Sequence, residues 1–122
     1  MTEKHKNESL LKKKEAFYNE LRKSTEIFKA LADPVRQDIL LMFMVSKRLN
    51  VSQIVEQSPM SRPTISHHLK IMKMAGILDS KKEATEVYYW LTANHSTVKQ
   101  LKKIVSSLEE IENHQDKEND KI

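Results

Sequence analysis

The 122-residue sequence contains no cysteine and only one glycine, Gly76. The lack of cysteine excludes disulfides, thiolate metal ligands, cysteine nucleophiles and thiol redox sensing. A single glycine argues against glycine-rich phosphate loops, and no paired carboxylates or nucleophile with a neighbouring base stand out, so we do not expect an enzyme. No apolar run is long enough to cross a membrane, and the polar N-terminus lacks the apolar core of a signal peptide. We therefore expect a cytoplasmic protein of one domain.

The most informative segment is SRPTISHHLKIMKMAG, residues 61–76, because it marks both ends of a helix. Ser61 is a favourable N-cap residue, and Pro63 falls in the first turn, where a missing N–H costs no helical hydrogen bond. Gly76 stands where a helix needs a left-handed C-terminal residue. Three residues at spacings of four and three form one apolar stripe: Ile65, Leu69 and Met72. We predict a helix over about 61–75.

The residues off this stripe are hydrogen-bond donors and cations, with no acidic residue among them: Arg62, Thr64, Ser66, His67, His68, Lys70 and Lys73. Such a face suits phosphates and base edges. Asn50 and Gln53 form an N-cap and capping-box pair for a short preceding helix that ends near Gln57. A short helix, a turn and a polar-faced second helix are typical of the helix-turn-helix, whose second helix enters the major groove. A helical hairpin in an ordinary bundle is the alternative.

After Gly76 the pattern changes to the period of two that is typical of strands. We predict a β-hairpin over about 77–91, with a loop at 81–85 and a second strand at 86–91. Two lysines lie near its tip: Lys81 and Lys82. The tip lacks a glycine, so we expect a longer loop there. A basic hairpin after such a helix is typical of a wing, which can reach adjacent DNA backbone or minor groove. We assign the aromatic residues of the hairpin to core and dimer packing rather than to a platform that stacks on single strands.

The net charge of +4 is confined to one part of the chain. Residues 61–82 contain five lysines and arginines against one aspartate, and the rest of the chain sums to zero. This distribution is the electrostatic footprint expected of a duplex-binding surface. A winged-helix module that docks an acidic protein partner is the alternative from a different class.

Helical patterns flank this central part. One runs from Leu10 to about Ala32, and Asp33 with Pro34 then starts a helix whose apolar run, VRQDILLMFMV, is predicted to pass through the core. Another covers about 94–112, with an apolar stripe close to a coiled-coil seam.

We expect the helices at about 10–24 and 94–112 to form a symmetric homodimer. Such a dimer would present two recognition helices to two-fold-related half-sites in double-stranded DNA. Residues 1–9 are expected to be frayed or disordered, and residues 113–122 have too little apolar content to fold. The predicted fold is mainly α with a small β-hairpin: a winged helix-turn-helix with helical N- and C-terminal dimerisation elements.

Three segments, FKALADPVRQDIL, MSRPTISHHLKIMKMAGIL and EVYYWL, follow one another in an order that closely resembles the ArsR/SmtB family of bacterial winged helix-turn-helix repressors. The resemblance covers about Glu26 to Leu91. It implies a homodimer that represses operons by covering the operator, with an inducer that weakens DNA binding from an allosteric site. It also implies base contacts by five residues: Arg62, Pro63, Thr64, Ser66 and His67. Phosphate contacts are implied for three lysines: Lys70, Lys81 and Lys82.

Within this DNA-binding set, which also includes Ser61 and Lys73, Arg62 is the strongest candidate for sequence reading. Its planar fork can bond bidentately to guanine, and the alternative for Arg62 is a phosphate contact. His67 and His68 are adjacent and face different directions, so we expect one to meet DNA and the other to pack or cap.

The positions at which relatives in this family sense signals differ in this chain. Many members bind metals through a Cys-x-Cys motif at the short helix before the recognition helix, where this sequence has Asn50 and Ser52. Another branch binds zinc on the last helix, and those positions correspond here to Ala93, His95, Ser106 and Glu109, which supply only two of the four ligands of a tetrahedral site.

We therefore expect a repressor with no metal and no cofactor, controlled by its own level, an organic inducer or a protein antagonist. The alternative is a divergent metal-responsive repressor with a site around His95 and Glu109.

Overall fold

The computed structural model describes residues 3–92 and 96–119. Six helices and three strands lie within these ranges, in the order α1 (Glu3–Lys23), α2 (Thr25–Leu31), α3 (Pro34–Val45), β1 (Leu49–Asn50), α4 (Val51–Glu56), α5 (Arg62–Met74), β2 (Leu78–Glu83), β3 (Glu86–Leu91) and α6 (Ser96–Asn119). Across the part of the chain described, no helix is both long and apolar enough to cross a bilayer.

The chain divides into two units by its contacts. One, here called the winged unit, comprises Glu26–Thr97, and the other, the terminal-helix unit, comprises Met1–Thr25 with Val98–Ile122. The predicted winged helix-turn-helix fold is confirmed in the winged unit, where α4 and α5 form the helix-turn-helix and β2 and β3 form the wing.

The sheet of the winged unit is antiparallel, with β3 between β1 and β2. Glu83 pairs with Glu86, so the hairpin turns through only Ala84 and Thr85. Ala84 adopts the left-handed conformation, with φ of 54°. The prediction of a longer loop at 81–85 was therefore wrong: the ladder continues to the tip, and an alanine takes the backbone conformation that a glycine usually supplies.

Strand β1 was not predicted. Leu49 pairs with Tyr89 and Asn50 with Tyr88. Two residues are too few to show a period of two, so only the pairing with β3 identifies them as a strand.

The core of the winged unit lies between α3, α4, α5 and the sheet. Its buried members include Ile39, Phe43, Leu49, Ile54, Ile65, Leu69, Met72, Leu78 and Tyr89. The prediction that α3 passes through the core holds for one face only, because Leu41 and Met44 are each 63% exposed and Val45 is 89% exposed.

The predicted helical pattern from Leu10 to Ala32 is two helices rather than one. Helix α1 ends at Lys23, and the buried Ser24 donates its hydroxyl to the carbonyl of Glu20 at 2.8 Å. Helix α2 begins at the next residue. A serine that bonds the backbone four residues back competes with the helical hydrogen bonds, which explains a break that apolar spacing does not reveal.

In the terminal-helix unit, α6 is tied to α1 by the side chain of Gln100. Its amide donates to the carbonyl of Glu20 at 3.2 Å and to Glu20 Oε2 at 2.8 Å. Ile104 and Ile111 are buried on α6.

Both terminal helices are longer than predicted. Helix α1 begins at Glu3 and α6 continues to Asn119, so the structure is helical at residues 3–9 and 113–119, where a frayed or disordered N-terminus and a disordered tail were expected. A helix that is already nucleated gains a hydrogen bond for each residue added, which lets a polar segment continue it. The remainder of the predicted tail, 120–122, and the predicted start of the last helix at 94 lie outside the described residues.

Candidate nucleic-acid interface

Helix α5 has the predicted end signals. Ser61 is the N-cap, and its hydroxyl accepts from the amide of Thr64 at 3.4 Å. At the other end Gly76 has φ of 80°, and the amides of Gly76 and Ile77 donate to the carbonyls of Lys73 and Met72 at 3.0 Å each. This pair of bonds is a Schellman motif, which stops the helix and turns the chain into β2.

The apolar stripe of α5 is fully buried at Ile65, Leu69 and Met72. The opposite side of the helix is therefore left at the surface. Among the predicted DNA-binding residues of the 61–73 segment, six are exposed: Ser61, Arg62, Pro63, His67, Lys70 and Lys73. Three are half-buried: Thr64, Ser66 and His68.

The two adjacent histidines differ in their surroundings. His67 is exposed, whereas the half-buried His68 places Nδ1 at 3.1 Å from Nη1 of Arg36. Burial lowers the pKa of His68, and the charge of Arg36 lowers it further, although the nearby Asp33 raises it. A neutral imidazole is therefore favoured at this position, and the packing role expected of one histidine falls to His68.

The wing lysines lie on β2 rather than in a loop. Lys81 pairs with Tyr88 and Lys82 with Val87, and both lysines are exposed. Successive side chains of a strand point to opposite faces, so the two lysines extend to different sides of the hairpin. Lys73 connects the helix to this strand, because its Nζ donates to the hydroxyl of Ser80 at 2.7 Å.

The aromatic residues of β3 have separate environments. Tyr89 is part of the core, and burial raises its pKa. The guanidinium of Arg48 lies 4.1 Å from the ring centroid of Tyr88 and 6.0 Å from that of Trp90. Arg48 also forms an ion pair with Glu83 near the wing tip. Sequence reasoning did not single out Arg48, since its aromatic neighbours are some forty residues away along the chain.

A second arginine contact joins three elements beside the start of α5. Nη1 of Arg62 donates to the hydroxyl of Ser52 at 2.9 Å, and Nη2 lies 3.6 Å from Oε2 of Glu86. The Ser52 hydroxyl donates in turn to Oε1 of Glu86 at 3.1 Å. Ser52 belongs to α4 and Glu86 to β3, so no local pattern identifies either residue as a neighbour of Arg62.

Comparison with known proteins agrees with this architecture. Residues 33–80 match the family described as bacterial regulatory protein, arsR family. An uncharacterised helix-turn-helix transcriptional regulator of Methanocaldococcus jannaschii is 40% identical over 86 residues, which cover 70% of this chain and 94% of the relative. The chain belongs to the ArsR/SmtB family. It is accordingly a DNA-binding transcriptional regulator, and its relatives are regulators rather than enzymes.

Solved structures of transcriptional regulators share the fold. The transcriptional repressor PagR of Bacillus anthracis is 30% identical, with a TM-score of 0.56 over 72% of this chain and 98% of PagR. An ArsR-like regulator from Rhodococcus has a TM-score of 0.65 over 83% of this chain and 94% of its own, at 21% identity. At 21% identity, the similarity to the Rhodococcus structure shows a shared fold and nothing more.

Two positions at which the family resemblance implies a Cys-x-Cys sensor have structural roles in this chain. Asn50 caps α4 in a complete capping box with Gln53, and Ser52 binds Arg62 and Glu86. On α6, Glu109 is exposed, and His95 lies outside the described residues. Within residues 3–92 and 96–119, no three His, Asp or Glu side chains come together as a metal site would require.

Proposed function

We propose that this ArsR/SmtB-family chain is a sequence-specific transcriptional repressor that binds double-stranded DNA as a homodimer. In this proposal α5 enters the major groove and the β2–β3 wing contacts the adjacent backbone. The observation that carries it is the surface of α5, which presents three cations and no acidic side chain while its apolar stripe is fully buried. An ordinary surface helix also buries an apolar stripe, so the feature that favours DNA is the single sign of the charge on the exposed face of α5.

The proposed contacts divide into two kinds. Exposed lysines on α5 and β2 are suited to phosphates, which supply affinity without sequence information. Arg62 occupies the first position of α5, and the N-terminal residues of a recognition helix are those that contact base edges. The neighbouring polar residues Thr64, Ser66 and His67 would complete this base-reading group.

The dimer is proposed from apolar side chains that the terminal-helix unit leaves exposed. On α1 they are Leu11, Tyr18 and Leu21, and on α6 they are Val98, Val105 and Leu108. Val98 and Val105 are one heptad apart, as the seam of a helical dimer requires. Covering these residues with a second copy would bury apolar surface and would place two recognition helices in two-fold symmetry.

The signal is proposed to be neither a thiol reagent nor a metal. The chain has no cysteine, and the positions of the usual Cys-x-Cys motif are occupied by residues that cap or bridge helices. Control by protein level, an organic inducer or a protein antagonist is consistent with these features. Calorimetric titration with zinc tests this part, because tight stoichiometric binding that changes DNA affinity would restore the metal-sensing alternative.

The central experiment is selection of bound duplexes from a random-sequence pool, followed by affinity measurements at about 50 mM and about 200 mM salt. We expect one enriched, two-fold-symmetric sequence and an affinity that falls steeply with salt, because several phosphate counterions are released. Lys70→Ala and Lys81→Ala should weaken binding to all duplexes alike, whereas Lys29→Ala on α2 should leave it unchanged. An affinity that does not vary with salt would contradict the proposal.

A further inference from the structure

We propose that Glu86 is the positioning residue for Arg62, and that it sets how well the protein discriminates its operator from other DNA. This inference rests on the proposed function above. The contacts form a closed ring: Arg62 to Ser52 at 2.9 Å, Ser52 to Glu86 at 3.1 Å, and Glu86 back to Arg62 at 3.6 Å. The ring spans α4, α5 and β3 and lies at the end of α5 that would approach base edges.

The carboxylate of Glu86 gives the ring its strength. Its Oε2 is shielded from solvent and accepts no hydrogen bond from the residues that the structure describes. It forms an ion pair with the guanidinium of Arg62, whose Nη2 lies 3.6 Å away. A shielded carboxylate oxygen without a partner is costly, so the side chain of Arg62 is held near Glu86 rather than released to solvent.

Ser52 completes the restraint. A hydroxyl has one donor and two acceptor sites, and here it donates to Glu86 while accepting from Arg62. Both terminal nitrogens of Arg62 are therefore held by other side chains of the protein, Nη1 by Ser52 and Nη2 by Glu86. Because an arginine has five N–H donors and the side chain of Arg62 is 52% exposed, donors remain for a base.

Restraint of this kind affects specificity more than affinity. An unrestrained arginine has many rotamers and binds any phosphate within reach, which adds affinity for every duplex. Bidentate reading of guanine requires the planar fork in one orientation, and an arginine that is already oriented loses less entropy when it binds. Removal of the Glu86 charge should thus convert Arg62 from a base-reading residue into a phosphate-binding one.

The wing supplies a matched control. Glu83 lies directly opposite Glu86 in the β2–β3 register, but it pairs with Arg48 and not with Arg62. Glu83→Gln removes the same charge from the same end of the hairpin. An effect due only to net charge near DNA would be shared by both variants, whereas a positioning effect would be confined to Glu86→Gln.

The experiment measures the ratio of Kd values for an unrelated duplex and for the duplex that wild-type protein selects from a random pool. Glu86→Gln should lower this ratio about tenfold, the range of a lost bidentate guanine contact. Glu83→Gln should keep the wild-type ratio. Arg62→Ala should lower it as much as Glu86→Gln, and adding Glu86→Gln to Arg62→Ala should change nothing more. Ser52→Ala, which keeps the charge but breaks the bridge, should lower the ratio by a smaller factor.

Three results would overturn the inference. The first is a Kd ratio that is unchanged in Glu86→Gln, and the second is a raised ratio, which would mean that the ion pair withholds Arg62 from DNA. The third is an equal loss of the ratio in Glu83→Gln. If Glu86→Gln fails to fold, Ser52→Ala decides the question. It should lower the ratio in the wild-type protein and leave the ratio unchanged when it is added to Arg62→Ala. A wild-type protein that binds all duplexes equally would contradict the proposed function itself, which is a separate outcome.

Discussion

Nη1 of Arg36 lies 3.1 Å from Nδ1 of His68, and this contact joins α3 to the recognition helix α5. The same guanidinium donates from Nε to the carbonyl of Ala30 at 2.7 Å and from Nη2 to that of Lys29 at 3.0 Å. These carbonyls belong to the last turn of α2, where a cation is favoured by the helix dipole. One side chain therefore holds three helices of the winged unit together.

Replacement of this side chain should be costly. Arg36→Ala removes three hydrogen bonds of a side chain that is only 13% exposed, so we expect the free energy of unfolding to fall by about 2 kcal/mol or more. Arg36→Lys should recover little, because an ammonium cannot reproduce the planar fork. Denaturant unfolding provides the measurement. The exposed Arg22→Ala on α1 is the control and should remain within about 0.5 kcal/mol of wild type.

The stability of the winged unit should depend on pH through His68. Burial lowers its pKa in the folded state, so the unfolded chain binds a proton more readily as the pH falls through the ordinary histidine value of 6.5. The contribution of His68 to the free energy of unfolding is therefore complete above pH 6.5. It is lost progressively as the pH falls from that value to the lower pKa of the folded state. We expect wild-type protein to lose more stability between about pH 7.5 and about pH 5.5 than His68→Gln. His67→Gln should retain most of the wild-type loss, because the charge of His67 is the smallest of the causes that lower the pKa of His68. An equal loss in all three proteins would argue against this account.

Ala84 and Gly76 both adopt a backbone conformation with positive φ. Exchanging alanine and glycine at these two positions should therefore change the free energy of unfolding in opposite directions. Ala84 has φ of 54°, so Ala84→Gly should relieve strain and raise the free energy of unfolding by up to about 1 kcal/mol. Gly76 has φ of 80°, and a Cβ there would meet no atom within 4 Å. Gly76→Ala should therefore lower stability by about 1 kcal/mol through backbone strain alone. Thermal melting of the two variants tests both signs, and a destabilised Ala84→Gly would show that strain at the wing tip is not the deciding factor.

The buried stripe of α5 should dominate the stability of that helix. Leu69 is fully buried in the core, so Leu69→Ala should cost about 2 to 5 kcal/mol. Met74, near the end of the same helix, is 87% exposed, and Met74→Ala should change stability by no more than about 0.5 kcal/mol. Comparable losses in both variants would indicate that Met74 is covered in solution.

The elements that sequence reasoning predicted well are those with local causes. Helix α5 was predicted over 61–75 and is observed as Arg62–Met74 after the Ser61 cap. Its signals were a cap, a proline in the first turn, an apolar stripe and a terminal glycine, all of which act within a few residues. The capping box of α4 was predicted for the same reason and is present.

The features that were missed depend on interactions that apolar periodicity does not register. Strand β1 exists through its pairing with β3, and the two-residue turn at Ala84 follows from a ladder that continues to the tip. The break at Ser24 involves one serine hydroxyl, which apolar periodicity does not register. In each case the deciding interaction competes with, or overrides, the local preference of the sequence.

By itself, the sequence determined the family, the winged helix-turn-helix fold and the face of α5 that carries positive charge, because helix caps, periodicity and charge are properties of neighbouring residues. Only the tertiary structure decided that His68 packs against Arg36 and that Arg62 is held by Ser52 and Glu86. These partners are 32, 10 and 24 positions apart in the printed sequence. Contacts at such separations form only when the core brings the elements together, and they decide which polar side chains of α5 are bound within the protein.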